Sequence, residues 1–225
     1  KIYNYFMKTF IIHYTRLKDR KENIYKLINS LNLDAEFISE YDKEILDKSD
    51  IRFKQTEKDW NKQLYVIKNI LIKNIKYAKL NYTIKNKIYW NFIDIFSKFI
   101  TPKSLKFRKL SLSEISLILK HYSALQKIKK LDKPALILED DIIEQYNSRL
   151  LIKNSFELCK NNYDYIDLGG GCDLPLFKED LCLSNYKNIF DLYIPRSRTT
   201  AAYMISPDAA SKLLNGFFPI TMPLD

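Results

Sequence analysis

Glu139, Asp140 and Asp141 follow directly on Ala135-Leu-Ile-Leu138, a continuous apolar run introduced by Pro134. Such a run reads as a strand buried on both faces. Adjacent carboxylates repel one another, so this abrupt stop costs stability unless a cation or hydrogen-bond donors compensate it. Along an extended backbone Glu139 and Asp141 point to the same side, where both reach one hard cation or a ligand lying across the carboxyl end of the strand. Open α/β sheets bind their ligands at that edge. Oxygen-only ligands favour magnesium or manganese over zinc. The residues alone leave a second reading open, in which the triplet caps a strand and begins a helix at Ile142 with Asp as N-cap.

Other chemistry is sparse. Cys159, Cys172 and Cys182 form no Cys-x-x-Cys pair, and the only histidines, His13 and His121, are distant in sequence, which argues against a zinc site. The odd cysteine count favours a reducing compartment, with free cysteines packed as small hydrophobes. The first residues carry apolar positions broken by Asn4 and Lys8 and no small-residue cleavage site, so no signal peptide is expected; Met7 could itself be an initiator. Together these features predict a cytoplasmic protein.

The elements that must position the triplet can be read from periodicity. Residues 9–13 form a β-prone run, followed by Ile24, Leu27, Ile28 and Leu31 at helical spacing and a second strand at 35–39, the βαβ opening of an α/β sheet. A helix opened by Ser111 or Ser113, with Glu114 in its first turn, carries Ile115, Ile118, Leu119, Tyr122 and Leu125. Residues 163–168 and 200–206 read as further strands, and 207–214 as a helix. Between the two halves, Leu64, Ile67, Leu71, Ile75 and Ala78 mark a helical stripe, and Pro102 closes an aromatic stretch over 89–100.

With 225 residues, 46% hydrophobic, and only four glycines, the chain suits one large soluble domain rather than a membrane bundle or a low-complexity protein. The net charge of +10 is concentrated: residues 43–109 hold 17 Lys and Arg against 6 Asp and Glu. A basic segment of this kind meets a phosphate-rich partner or an anionic membrane surface, or else forms a solvated helix face.

At the level of motifs the chain resembles glycosyltransferase family 25, the lipooligosaccharide-type and collagen galactosyltransferase-like sugar transferases. Phe10-Ile-Ile-His-Tyr-Thr-Arg-Leu-Lys-Asp-Arg-Lys21 is similar to the family's opening strand and arginine-rich loop, with His13 where Asn is usual and Lys21 where the second Arg is usual. Residues 112–121 resemble its helix motif, with Ser113, Ser116 and Lys120 replacing Gly, Gly and Ser ahead of His121. Ala135-Leu-Ile-Leu-Glu-Asp-Asp-Ile142 matches the metal and donor motif without a change in the acidic triplet. Residues 163–169, 202–214 and 223–225 then fall in the family's order. The resemblance covers 8–42 and about 110–225, so residues 43–109 read as a basic helical insertion in a single domain spanning 1–225. Relatives continue past the position of Asp225, so a C-terminally shortened domain is expected.

The resemblance implies a GT-A-like nucleotide-binding α/β sheet flanked by helices, Mn2+ or Mg2+ against the diphosphate of a UDP-sugar (usually UDP-galactose), and an inverting transfer to a glycan or glycolipid such as lipooligosaccharide. Within it, Asp141 is expected as metal ligand, Glu139 as second ligand or ribose contact, and Asp140 as a contact to donor sugar or metal-bound water. Arg16 or Arg20 suits the diphosphate, because guanidinium forks match phosphate, with a plain surface charge as the alternative. His13 falls with them on the donor side. An inverting reaction needs a base at the acceptor hydroxyl, for which Asp225 is the candidate and Asp173 the reserve. Glu114 and His121, two helical turns apart, line an acceptor-side face or are structural. Two competing readings are a degenerate transferase that binds or tethers, and a nucleic-acid binder; the lysines lack the interleaved pattern of a stacking platform, and no nucleic-acid partner is expected. The insertion, with Trp60 and Trp90 and the aromatics at 89–99, is expected to hold the enzyme peripherally at the inner face of an anionic membrane.

Overall fold

A computed structural model describes residues 7–47, 49–53, 56–61, 109–169, 181–183, 185–186, 189–192 and 200–220. The chain opens with β1 (Lys8–Ile12), α1 (Lys18–Leu31) and β2 (Asp34–Ile38), then continues with α2 (Leu112–Ile128), β3 (Ala135–Glu139) and α3 (Ser148–Asn161). It proceeds through β4 (Tyr165–Asp167), the short pair β5 (Leu181–Cys182) and β6 (Phe190–Asp191), and ends in β7 (Ala202–Ile205) and α4 (Pro207–Leu214). Five strands form one sheet in the order β2-β1-β3-β7-β4. β1 runs parallel to both β2 and β3, whereas β7 is antiparallel to β3 and to β4, so the sheet is mixed.

Period-two alternation sorts the core onto two faces. Phe10, Ile12, Ala135, Ile137, Tyr203 and Ile205 pack on one face under Ala124, Leu125 and Ile128 of α2 and Ala209 and Ala210 of α4. Their neighbours Ile11, Leu136, Leu138 and Met204 pack on the other, under Ile24, Leu27, Ile28 and Leu31 of α1 and Phe156 and Cys159 of α3. β3 is buried on both faces because helices cover both, and full burial of each large aliphatic side chain contributes roughly 1.5–3 kcal/mol. Cys159 follows the small-hydrophobe expectation, and burial pushes its thiol up to about 12, whereas Cys182 is exposed.

The helix ends are set locally. Ser111, not Ser113, is the N-cap of α2: its hydroxyl accepts from the Glu114 N–H, and the Glu114 carboxylate accepts from the Ser111 N–H, a complete capping box. Ser206 caps α4 with Pro207 at its first position, and Asn32 ends α1 in the left-handed region at φ 55°. No helix starts at Ile142: the chain turns at Asp140 and Asp141, and α3 begins only at Ser148, which removes the reading of the triplet as a helix cap.

Most of the basic segment lies outside the described residues, including Trp90 and the aromatics at 89–99. Its described part contains a 3-10 turn at Ile51–Phe53 and Trp60, which is 3% exposed and so does not present itself to a membrane surface. No helix among the described residues is long and apolar enough to cross a membrane.

Candidate functional site

β1 is the branch point of the sheet. From its end the chain runs out to β2 on one side and returns to β3 on the other, and all three strands are parallel. Where strand order reverses in this way, the connections leave in opposite directions and open a crevice at the carboxyl ends of the strands. Register puts Ile12 level with both Ile38 and Glu139, so His13, the loop after β2 and the acidic triplet share one edge. The approach to β7 joins them there, since the Glu139 N–H donates to the Ala201 carbonyl at 2.7 Å.

That edge holds a cleft of about 240 Å³, walled by Ile12, His13, Arg20, Glu139 and Asp140 on the sheet side. Ser113, Ser116, Leu117 and Lys120 face it from α2, and these four positions lie within two turns on one helix face. Lys43 closes the rim, its ammonium 5.2 Å above the Tyr14 ring.

Asp140, 8% exposed, joins the segments that follow β1 and β3 along the sheet-side wall. Its Oδ2 accepts from His13 Nδ1 at 2.7 Å and from the Tyr14 N–H at 3.2 Å, and its Oδ1 accepts from Arg20 at 3.1 Å. The same Arg20 nitrogen reaches Asp141 Oδ2 at 3.0 Å, so one guanidinium answers the repulsion between the two aspartates. The hydrogen bond that Arg20 donates to Asp140 holds the guanidinium above its ordinary pKa; burial opposes this, and the charges of Asp141 and Asp140 add to the rise. Arg16 behaves differently: it is 68% exposed and 3.5 Å from Glu44. His13 is buried, and its Nε2 has no hydrogen-bond partner among the described residues.

Glu139 turns the other way, toward α2 and β7. Its Oε1 accepts from the Thr200 hydroxyl at 2.7 Å and lies 3.5 Å from His121 Nε2, an electrostatic contact rather than a well-formed hydrogen bond. Burial pushes the Glu139 carboxyl up, but His121, Thr200 and the Arg20 charge outweigh it and leave the group below its usual range. His121 Nδ1 is 2.9 Å from the Tyr203 hydroxyl, and burial drives that phenol well above its usual pKa. Glu114, expected beside His121, is engaged at the helix start in the capping box. Asp173 and Asp225 lie outside the described residues.

Sequence reading missed one feature of the cleft. Lys120, 2% exposed, donates to Asp42 Oδ1 at 2.6 Å across 78 positions of sequence, and Asp42 Oδ2 accepts from the hydroxyl and the N–H of Thr15. The available signal was the spacing of Lys120, seven residues after Ser113 and so on the same face of α2; nothing local pointed to Asp42. Burial raises the Asp42 carboxyl, yet Lys120 and Thr15 more than offset this and hold it below the ordinary aspartate range. A depressed carboxyl stabilises the fold above its unfolded pKa, about pH 4, and this contribution is lost as pH falls through the folded value. Asp42→Asn is therefore expected to lower the unfolding free energy at pH 7 by about 3 kcal/mol, with the gap to the unaltered protein closing on acidification. Urea unfolding at pH 7 and near pH 3 checks this; a gap that stays constant would show that the charge on Asp42 is not what stabilises.

A divalent cation can be tested against these groups. Among the described residues no set of three or more His, Cys, Asp and Glu side chains is arranged to hold a metal ion. Glu139 and Asp140 are already met by protein donors, while Asp141 is 50% exposed and bonded through one oxygen to Arg20. Its hard oxygen chemistry fits manganese or magnesium, provided a bound substrate brings the remaining ligands. No curated protein matches the chain in direct comparison. The model of glycosyltransferase family 25 (LPS biosynthesis protein), however, matches residues 6–225, spanning the crevice, its acidic turn and the helix that faces it. With that match over nearly the whole length, the chain belongs to glycosyltransferase family 25.

Proposed function

We propose that this glycosyltransferase takes a sugar, galactose in the first instance, from a UDP-sugar bound in the switch-point cleft and passes it with inversion to a glycan or glycolipid acceptor of the lipooligosaccharide type. The observation that carries the reading is the meeting of Arg20, Lys120 and His13 with the acidic turn in one cleft at the carboxyl edge of a sheet whose order reverses there. That is the place and the charge pattern a nucleoside diphosphate requires. A GT-A-like description of the sheet belongs to the same reading.

In the transfer, the acceptor oxygen forms a bond to the anomeric carbon as the bond from that carbon to the β-phosphate oxygen breaks. The acceptor proton passes to a base, and the nucleoside diphosphate leaves with its charge. Asp141 would hold Mn2+ or Mg2+, which when bound neutralises charge on the diphosphate. Arg20 sits beside Asp141 with its guanidinium fixed by Asp140, placed to exchange a carboxylate for a phosphate oxygen at low orientational cost. Glu139, locked by His121 and Thr200, keeps its carboxylate ionised at the cleft wall, positioned for a ribose hydroxyl. Asp225 is the proposed base, with Asp173 in reserve, and peripheral contact with an anionic membrane would bring a lipid-linked acceptor within reach.

Calorimetry with UDP tests this directly. Binding is expected in manganese and is expected to weaken by at least tenfold in chelator, with Asp141→Asn removing the metal dependence. Equal affinity with and without metal would refute the metal assignment, and absence of any UDP binding would refute the donor class.

A further inference from the structure

The buried lysine of the cleft is not explained by packing. Taking an ammonium and a carboxylate out of water is unfavourable, and a buried pair of this kind stabilises no more than apolar residues of the same volume would. Yet Lys120 is 2% exposed and lines the cleft, on the same helix face as Ser113 and Ser116. An ammonium carries three N–H donors, and among the described residues Asp42 is its one partner. Asp42 is itself fixed by two bonds from Thr15, so the ammonium is held in place by one bond while two donors remain for whatever fills the cleft. His13, on the opposite wall, has a buried Nε2 without a hydrogen-bond partner among the described residues. The unmet donors of Lys120, facing a buried ring nitrogen across the same cleft, mark a site built for a polar ligand, and the ammonium charge suits an anionic one.

We propose that Lys120 is a donor-binding residue of this enzyme: its ammonium, aimed by Asp42, contacts a phosphate oxygen of the nucleoside diphosphate. The proposal rests on the reading of the cleft as a nucleotide-sugar site. It adds a second fixed cation, opposite Arg20 and independent of any metal, and it makes Asp42 and Thr15 positioning residues. The motif-level pattern carries serine at this position, so the contact would be particular to chains with lysine here. A lysine is a point charge without the planar fork of arginine, so it would add affinity for phosphate with little demand on geometry.

The experiment measures UDP, uridine and inorganic pyrophosphate binding by calorimetry in chelator, for the unaltered protein, Lys120→Met, and Lys120→Met combined with Asp42→Asn. The double variant removes both charges, so a fold that cannot bear an unpaired Asp42 is tested separately. Losses of tenfold or more for UDP and pyrophosphate, with uridine unchanged in the variant that folds, are expected. Parallel losses for uridine and UDP would overturn the proposal, because they mean a structural role, and so would unchanged pyrophosphate binding. Pyrophosphate binding that depends on Lys120 in a protein that ignores UDP would retain the anion contact while rejecting the nucleotide donor. A protein that binds neither probe would overturn both.

Discussion

Asp140→Ala is expected to lower the unfolding free energy by about 3 kcal/mol and to abolish UDP binding together with transfer. The carboxylate is buried and accepts three bonds from the segment after β1: His13, the Tyr14 N–H and Arg20. Alanine leaves the buried His13 Nδ1 and the Tyr14 N–H unmet, each costing about 1–3 kcal/mol, whereas Arg20 is 44% exposed and its loss adds little. The functional effect follows from the same bonds. Asp140 joins the end of β3 to the start of the α1 connection along one wall of the cleft, so its removal frees Arg20 from its aim. Asp140→Asn keeps one acceptor oxygen for His13 and Tyr14 but turns an amide donor toward Arg20, and should lose about half as much stability as alanine. Urea unfolding with calorimetry on the same samples tests both effects. An alanine variant within 0.5 kcal/mol of the unaltered protein would mean that the three bonds contribute no net stability.

The second large effect is kinetic. Loss of the base in Asp225→Ala should lower turnover by roughly two to four orders of magnitude while leaving UDP affinity nearly unchanged. A base acts on the acceptor hydroxyl and touches nothing in the donor, so binding and turnover separate. A metal ligand would behave in the opposite way, with metal-dependent UDP binding lost alongside turnover. Measuring both quantities in Asp225→Ala, and then in Asp173→Ala, distinguishes base, ligand and bystander. Turnover unaffected by either change would place the base among other groups of the protein.

The sequence determined the features that depend on neighbours a few residues away. Alternation and apolar runs located β1 and β3 within a residue, because burial on a strand repeats every two positions. The start of α2 was legible to within two residues, Ser111 or Ser113 with Glu114 in the first turn, and that of α4 at Pro207, since helix starts are signalled within one turn; the structure selected Ser111 and showed Ser206 as the cap of α4. The acidic triplet was legible as a site for the same reason: a buried strand ending in three carboxylates is a local anomaly. Its alternative as a helix cap was equally local, and only the turn at Asp140 and Asp141 decided between them.

Tertiary structure decided which partner each charge takes. The hydrophobic pattern of 202–205 is the same for either strand direction, so only assembly made β7 antiparallel to β3 and brought Thr200 to Glu139. His13 and Asp140 are 127 residues apart and Lys120 and Asp42 are 78 apart, and both pairs exist because the chain reverses strand order around β1. A carboxylate reads identically in sequence whether it awaits a metal, an arginine or a lysine. Its partner is chosen by which segments the sheet places side by side, and by the burial that makes an unmet charge there too costly to leave.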